Sequence, residues 1–319
     1  MLRKSGSSRR LDVVVAGLAV ADVLGRPVRL KKLPRPGGLQ ILDSITLSTG
    51  GNVSNVGIDL AILGFRVGTI TRIGNDSLGR FILEQYNAHR MNTAGVIRDQ
   101  HAQTSSTFVG VGKDGERTFL HTRGCMANFR ASDVLNHLSL VKRAKIFSFG
   151  YLGLLPETES QLGRLFHVVK RETGANISLD TAGNPKRQPK LLRECLPYVD
   201  YFIPSYEEAV ALTGRKNPED IVRSFFKAGA PNIVGVKLGA KGCYIANHRY
   251  AEYVPPAKAS RVVDTTGAGD AFVAGFLGAT VKGFSAFAAA RIANAVAAGC
   301  VTAVGASTAI QSFRDYVKK

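Results

Sequence analysis

The chain has 319 residues, 45% of them apolar, a length and composition that suit one large α/β domain or two smaller ones able to bury a core without staples. Its four cysteines, Cys125, Cys195, Cys243 and Cys300, stand far apart with no CxxC pair, which excludes a zinc knuckle or a thioredoxin-like site and predicts reduced thiols in a cytoplasmic protein. The 42 lysines and arginines against 24 acids give a formal charge of +18, but the positives (Arg29, Lys31, Lys32, Arg35, Lys142, Arg143, Lys145, Lys186, Arg187 and Lys190 among them) are scattered and accompany no nucleic-acid motif, so no specific nucleic-acid partner is expected.

Residues 1–10, MLRKSGSSRR, read as a disordered basic tail, because no apolar stretch follows the charges as it would in a signal peptide. Residues 11–17, LDVVVAG, read as a buried strand closed by Gly17. Residues 23–48 differ. Pro27, Pro34, Pro36 and the alternation around Ile41, Ile45 and Leu47 predict short strands outside the main core. Gly50 and Gly51 open a helix carrying Val53, Val56, Leu60 and Leu63 at helical spacing, and Gly64 ends it. A second β-rich piece, residues 105–123, reads as a hairpin turning at Lys113-Asp114-Gly115. The two pieces are expected to pair as a small sheet beside the main domain.

From residue 145 onward strands and helices alternate. Strands are expected at 145–149, 177–180, 201–203 and 233–237, with helices at 157–172, 206–213 and 218–228, the pattern of a parallel sheet covered on both faces. The last third reads as helical over 268–281, 284–303 and 307–317. Its apolar runs are broken by Asp270, Lys282, Arg291 and Asn294, so no membrane span is expected.

The strongest chemical signal is Asp264-Thr265-Thr266-Gly267-Ala268-Gly269-Asp270-Ala271-Phe272, between a β-like stretch at 261–263 and an apolar helix. Gly267 and Gly269 let backbone approach a ligand, and free amides at a helix start form an anion site. A carboxylate placed there, Asp270, sits beside bound phosphate, where accepting the proton of an attacking hydroxyl is a task that explains it. No GxxxxGK[ST] is present, and G-A-G-D-A-F fails the GxGxxG dinucleotide pattern, which excludes a P-loop enzyme and a Rossmann dehydrogenase.

This string resembles the C-terminal signature of the ribokinase-like (PfkB) carbohydrate kinases. The N-terminal signature is matched by Gly50-Gly51-Asn52-Val53-Ser54-Asn55, Leu63-Gly64 and Gly74-Asn75-Asp76-Ser77-Leu78-Gly79. The likeness runs in order over about residues 11–317. It implies one kinase domain, residues 11–319, with a central mostly parallel sheet, helices on both faces and a small β lid made by segments 23–48 and 105–123. It implies ATP and Mg²⁺ as the cofactors of phosphotransfer to a primary hydroxyl of a sugar, or of a nucleoside, while the basic charge motivates the alternative of a non-catalytic kinase-like binding or regulatory protein. Exposed edges of a lid sheet predict a homodimer that covers them.

Carried over residue by residue, the resemblance assigns Gly267, Ala268 and Gly269 to the anion hole and Asp270 to the catalytic base. Asp22, Gly50, Gly51, Asn52 and Asn55 fall at the sugar, with N-capping of their helix as the lesser alternative for Asn52 and Asn55. Lys237, Gly239, Gly242 and Asn294 fall at the nucleotide. Glu208 corresponds to a magnesium-linked acid acting through water, and Asp264 to a monovalent-cation (K⁺) loop. Two departures stand out. Ser205 replaces the family's Asn three residues before Glu208. Val20 and Asn52 replace the Asn and Lys of ribose-specific members, which argues against ribose. Beside these, Asp180 reads equally as a ligand-edge carboxylate or a turn cap, Arg123 as a solvated lid arginine or a partner for a charged substrate, and His121 as structural.

Overall fold

Every residue of β1 (Val13–Gly17) is buried, and its side chains divide by parity. Val14 and Ala16 join the core that contains Phe147, Phe149 and Phe166. Val13 and Val15 join the core that contains Phe272 and Phe276. A β-branched run covered on both faces is what a central parallel strand requires, and two separate cores on opposite faces are the result. The structure, a computed structural model, describes residues 11–29, 34–183 and 189–317. The expected basic tail at 1–10, and Lys31, Lys32, Lys186 and Arg187, lie outside the described residues.

The remaining strands are β2 (Val20–Arg26), β3 (Ser44–Gly50), β4 (Val67–Gly74), β5 (Asn92–Asp99), β6 (Ser106–Val111), β7 (Arg117–Thr122), β8 (Ile146–Leu152), β9 (Asn176–Thr181), β10 (Tyr201–Phe202), β11 (Ile233–Lys237), β12 (Cys243–Ala246) and β13 (Ala251–Val254). Nine form one sheet in the order β13-β12-β11-β10-β9-β8-β1-β4-β5. It is parallel from β5 to β11, with β12 and β13 added antiparallel at one edge. The second sheet has the order β3-β2-β6-β7 and is the expected lid, in which β2 pairs antiparallel with β3 and parallel with β6. Because β2 starts at Val20 and β3 ends at Gly50, Asp22 and Gly50 are themselves lid residues, a little outside the segment read from the sequence. The lid exposes Ile45, Leu47, Phe119 and Leu120.

Several expectations change. The segment 307–317 is helical only over Phe313–Val317, and the preceding helix spans Ala286–Cys300. Residues 301–312 instead form a turn-rich loop, in which Gly305 takes φ +97 and Ala306 packs on Gly267. The β-like residues 261–263 pair with no strand and leave Val262 and Val263 exposed. The helix read over 157–172 is two pieces, Pro156–Glu159 and Leu162–Thr173. Strands β4, β5, β12 and β13 have no counterpart in the sequence reading, because polar residues such as Thr71 and Arg72 break the apolar pattern. Thr71 is buried all the same, its hydroxyl donating to the Gly17 carbonyl at 2.8 Å.

The helix Asn52–Ile62 buries a carboxylate, Asp59, without exposure to solvent. Neither of its oxygens has a well-formed hydrogen bond, although the Ser307 hydroxyl lies toward it. Burial, opposed by Ser307 and reinforced by Asp270, pushes Asp59 well above its usual value of 3.8. Such an acid favours the folded state below its unfolded value and loses that contribution as pH rises through its raised folded value. Asp59→Ala removes the orphaned carboxylate and keeps a good helix former. It is expected to stabilise the fold at neutral pH by about 1–3 kcal/mol. The gain should fade as pH falls toward 3.8, read from urea unfolding at several pH values.

Candidate active site

The helix Ala268–Val281 starts at Gly267, whose φ of 76 lies in the left-handed region. A Cβ added there would come within 2.5 Å of the Ala306 side chain, so glycine is needed twice, for conformation and for space. The first-turn amides of a helix lack intrahelical acceptors and carry the positive end of its dipole. Of the residues expected to form the anion hole, Ala268 gives its N–H to the Thr265 carbonyl at 3.3 Å. Asp270 lies in the same first turn, 7% exposed.

Two groups from distant parts of the chain hold the Asp270 carboxylate. The Asn55 amide donates to Oδ2 at 2.9 Å, and the Tyr151 hydroxyl lies 2.8 Å from both oxygens. Burial raises the Asp270 pKa, while Asn55, Tyr151 and Lys237 oppose the rise. The same surroundings push the Tyr151 hydroxyl well above its usual value, through burial first and then the charges of Asp270 and Asp180. Tyr151 therefore stays protonated and donates to the Asp270 carboxylate. Tyr151→Phe removes a charge-assisted bond worth about 1.5–3 kcal/mol. Loss of that bond raises the Asp270 pKa further, so the acid limb of kcat against pH should move to higher pH by one to two units at most, about 1.4 kcal/mol per unit.

Asp22 stands on β2 opposite Ser48 of β3 and Thr107 of β6. Any Cβ on Gly50 would sit 2.3 Å from its Oδ2, which is why a glycine faces it. Burial, softened by a hydrogen bond to Thr107, pushes Asp22 up to about 6. Thr107 also meets His121 Nδ1 at 3.0 Å, so β2, β6 and β7 present Asp22, Thr107 and His121 as one connected row. Burial and the neighbouring Arg123 lower the His121 pKa, and Arg123 is exposed at the end of that row.

Asn52 departs from expectation. It neither caps its helix nor has free polar atoms: Oδ1 accepts the Leu18 N–H at 2.8 Å and Nδ2 donates to the Ala16 carbonyl at 2.9 Å. It is 1% exposed and fixes the end of β1, and the two residues that lead into β2, to the helix. Gly51, with φ 82 and a would-be Cβ 2.4 Å from the Leu18 carbonyl, permits that approach.

At the end of the parallel strands, Lys237 of β11 donates to Asp180 of β9 at 3.0 Å. The Lys237 ammonium lies 3.6 Å from where a Gly269 Cβ would be, so it borders the first turn of the helix Ala268–Val281. Burial tends to lower its pKa, but Asp180 and Glu208 outweigh it and the net shift is upward. Asp180 is itself pushed up to about 6 by burial, with Lys237 opposing and Asp270 and Glu208 adding to the rise. Ser205 caps the helix Tyr206–Thr213, and Glu208 Oε2 accepts the Ser205 N–H at 2.9 Å and the Thr181 hydroxyl at 2.6 Å. Ser205 in place of Asn thus completes a capping box. The Glu208 charge also acts on Asp180 and Lys237, and an acid so placed would suit Mg²⁺ held through water.

The match to known proteins follows this geometry. The model of the pfkB family carbohydrate kinases matches residues 10–312. The chain belongs to that family. It is 29% identical to the 2-dehydro-3-deoxygluconokinase of Bacillus subtilis (84% of this chain, 85% of that protein). It is also 29% identical to fructokinase-2 of Zea mays (87% of each). In structure it is similar to the Arabidopsis thaliana ribokinase solved with ribose and ATP, at 27% identity and a TM-score of 0.83, covering 97% of this chain and 98% of that one.

In this pfkB carbohydrate kinase the other residues expected at the nucleotide flank the edge of the main sheet. Gly239 and Gly242, with φ 58 and 88, turn the chain between β11 and β12. The Asn294 amide donates to the carbonyls of Val254 and Pro255, anchoring β13 to the helix Ala286–Cys300. A cavity of about 690 Å³ lies on another face of that helix, lined by Ser260, Ala295, Gly299, Gln311 and Tyr316 among others. The sequence reading missed this cavity, because its walls come from residues spread from Ala257 to Val317 that only the fold brings together. It also missed Tyr151, although a tyrosine at the C-terminal end of a parallel strand is where ligands bind in such sheets.

The K⁺ expected at Asp264 meets a carboxylate that is already neutralised. Arg117, at the start of β7, lies 2.7 Å from Asp264 Oδ1 and also donates to the Thr266 hydroxyl. Asp264 further accepts the N–H groups of Thr266 at 2.9 Å and Gly305 at 3.0 Å. The Thr266 and Ala306 carbonyls face the Cys300 thiol at 3.5 and 3.0 Å. Both oxygens of the Asp264 carboxylate are thus engaged within the chain.

Proposed function

We propose that this chain transfers the γ-phosphoryl group of ATP to a primary hydroxyl of a sugar or sugar acid, with Asp270 as the base. The observation that carries this reading is a buried, ionisable carboxylate held by Asn55 and Tyr151 in the first turn of a helix whose glycine N-terminus is an anion cradle. The sugar lies between the lid row of Asp22 and Thr107 and the Asp270 carboxylate. Asp22 and Asn55 orient its hydroxyls, and Gly50 and Gly51 bring backbone close to it. The adenine lies in the cavity beside Gly299 and Tyr316, so that the phosphates run toward Gly267, Ala268, Gly269 and Lys237. Mg²⁺, when bound with ATP, neutralises phosphate oxygens, and Glu208 holds its water shell.

The reacting hydroxyl gives its proton to Asp270 while the cradle amides and Lys237 stabilise charge on the phosphoryl oxygens. Because this transition state is loose, the site works by alignment and charge rather than by covalent chemistry. Arg123, exposed beside His121, suits the carboxylate of a sugar acid, and the kinship with a 2-dehydro-3-deoxygluconokinase supports that class. The exposed apolar lid residues support a homodimer that covers them, and the four buried free cysteines support a reducing, cytoplasmic setting.

ADP release measured against 2-dehydro-3-deoxygluconate, fructose, ribose, adenosine, inosine and cytidine tests the reading. A substrate-dependent rate with the sugar acid is expected, and Arg123→Ala should raise its KM about ten-fold or more while leaving that of fructose unchanged. A rate confined to nucleosides would replace the sugar reading with a nucleoside kinase.

A further inference from the structure

We infer that Arg117, carried by the lid, supplies to the loop pair at Asp264 the positive charge that a monovalent cation would otherwise bring, so that this enzyme works without K⁺. The inference deepens the phosphotransfer reading above and rests on it.

Asp264 is a hub. Its Oδ1 gathers the Thr266 N–H and the Arg117 guanidinium, and its Oδ2 gathers the Gly305 N–H. The loop that leads into the anion cradle and the loop that packs Ala306 on Gly267 are thus tied to one carboxylate. The Asp264 side chain is 6% exposed and that of Arg117 20%. A buried acid at this place faces the phosphate-binding turn, and without a counter-charge it would repel the anion bound three residues on.

Arg117 belongs to a different sheet. It begins β7, just after the turn of the lid hairpin, and reaches the loop pair only because the lid lies over the site. Its fork makes two contacts, to the Asp264 carboxylate and to the Thr266 hydroxyl, a geometry that a spherical ion lacks. The charge therefore arrives with the lid, and the cradle is electrically complete when the sugar is enclosed. Arg117 touches no reacting atom in this arrangement and acts through Asp264 and Thr266 as a positioning residue.

The test compares wild type, Arg117→Gln and Arg117→Lys in potassium chloride and in choline chloride at equal ionic strength. Wild-type kcat is expected to be the same in both salts. Arg117→Gln should lose about ten-fold or more in kcat in choline, the effect of losing a charge-assisted contact, and potassium should restore part of it. Arg117→Lys, which keeps the charge, should keep most of the activity. Thermal midpoints give a readout that needs no turnover: potassium should raise that of Arg117→Gln and leave wild type unmoved. A wild-type rate that depends several-fold on potassium would overturn the proposal. So would equal losses in the Lys and Gln variants, because the charge would then not be the reason. If wild type turned over no sugar, the phosphotransfer reading would fail by itself, and the midpoints would still decide whether Arg117 occupies the place of a cation.

Discussion

Asp270→Asn should lower kcat by about 10²–10⁴-fold, the range for loss of a positioned general base, while the affinity for ATP stays close to that of wild type. The substitution is nearly isosteric, and the Asn55 amide and Tyr151 hydroxyl that hold the carboxylate remain in place. What disappears is an acceptor for the proton of the attacking hydroxyl. The wild-type rate should also fall on the acid side at a pH above the ordinary aspartate range, because burial raises the pKa of Asp270. A raised pKa means that the proton leaves later as pH increases, so the active, ionised form is lost sooner as pH falls. Steady-state ADP release across pH, with ATP binding measured separately by calorimetry, checks both statements. A variant with near-normal turnover would remove Asp270 from the role of base.

Lys237→Met is expected to damage both stability and turnover. The ammonium and its partner Asp180 are 12% and 5% exposed. Removing one member of a buried pair leaves the other charge uncompensated, at a cost of about 3–5 kcal/mol. Asp180 is already pushed up to about 6, and without Lys237 it can escape part of that cost by taking up a proton. The destabilisation should therefore shrink toward pH 5 and grow above neutrality, seen as a thermal midpoint that drops more steeply with pH than that of wild type. Adding Asp180→Leu to Lys237→Met removes the stranded charge and should recover most of the stability. Turnover should stay low, because the cation beside Gly269 is still missing. Recovery of both together would mean that Lys237 serves the fold alone.

These two residues show different kinds of legibility. Asp270 and its glycines stand in one string, so local chemistry was enough to single them out as candidates: a helix start, a close-approach glycine and an acid in its first turn. β1, β8, β9 and β11 were equally readable, because a central parallel strand must be apolar on both faces and so writes a continuous run. The lid was readable from its turn residues and from alternation. Lys237 was found through the likeness to a family, and the reason it matters, a buried Asp180 across the strand ends, came from the fold.

Other features could not be read from the chain alone, because they depend on which distant segments meet. Asn52 has the residue type of a sugar ligand, yet the close approach of β1 consumes both of its polar atoms. Tyr151 is one more strand-end aromatic until the sheet brings it to Asp270. Residues 301–312 have an apolar, helix-compatible composition, but packing on Gly267 and the tie of Gly305 to Asp264 hold them in a loop. Arg117 sits in an ordinary charged hairpin, and only the closure of the lid sheet over the site makes it the partner of Asp264. Sequence determined the elements with strong local periodicity and the chemistry confined to one turn. Tertiary structure decided which polar groups remain available for a ligand, since a hydrogen bond between residues far apart in the chain leaves no periodic or local trace.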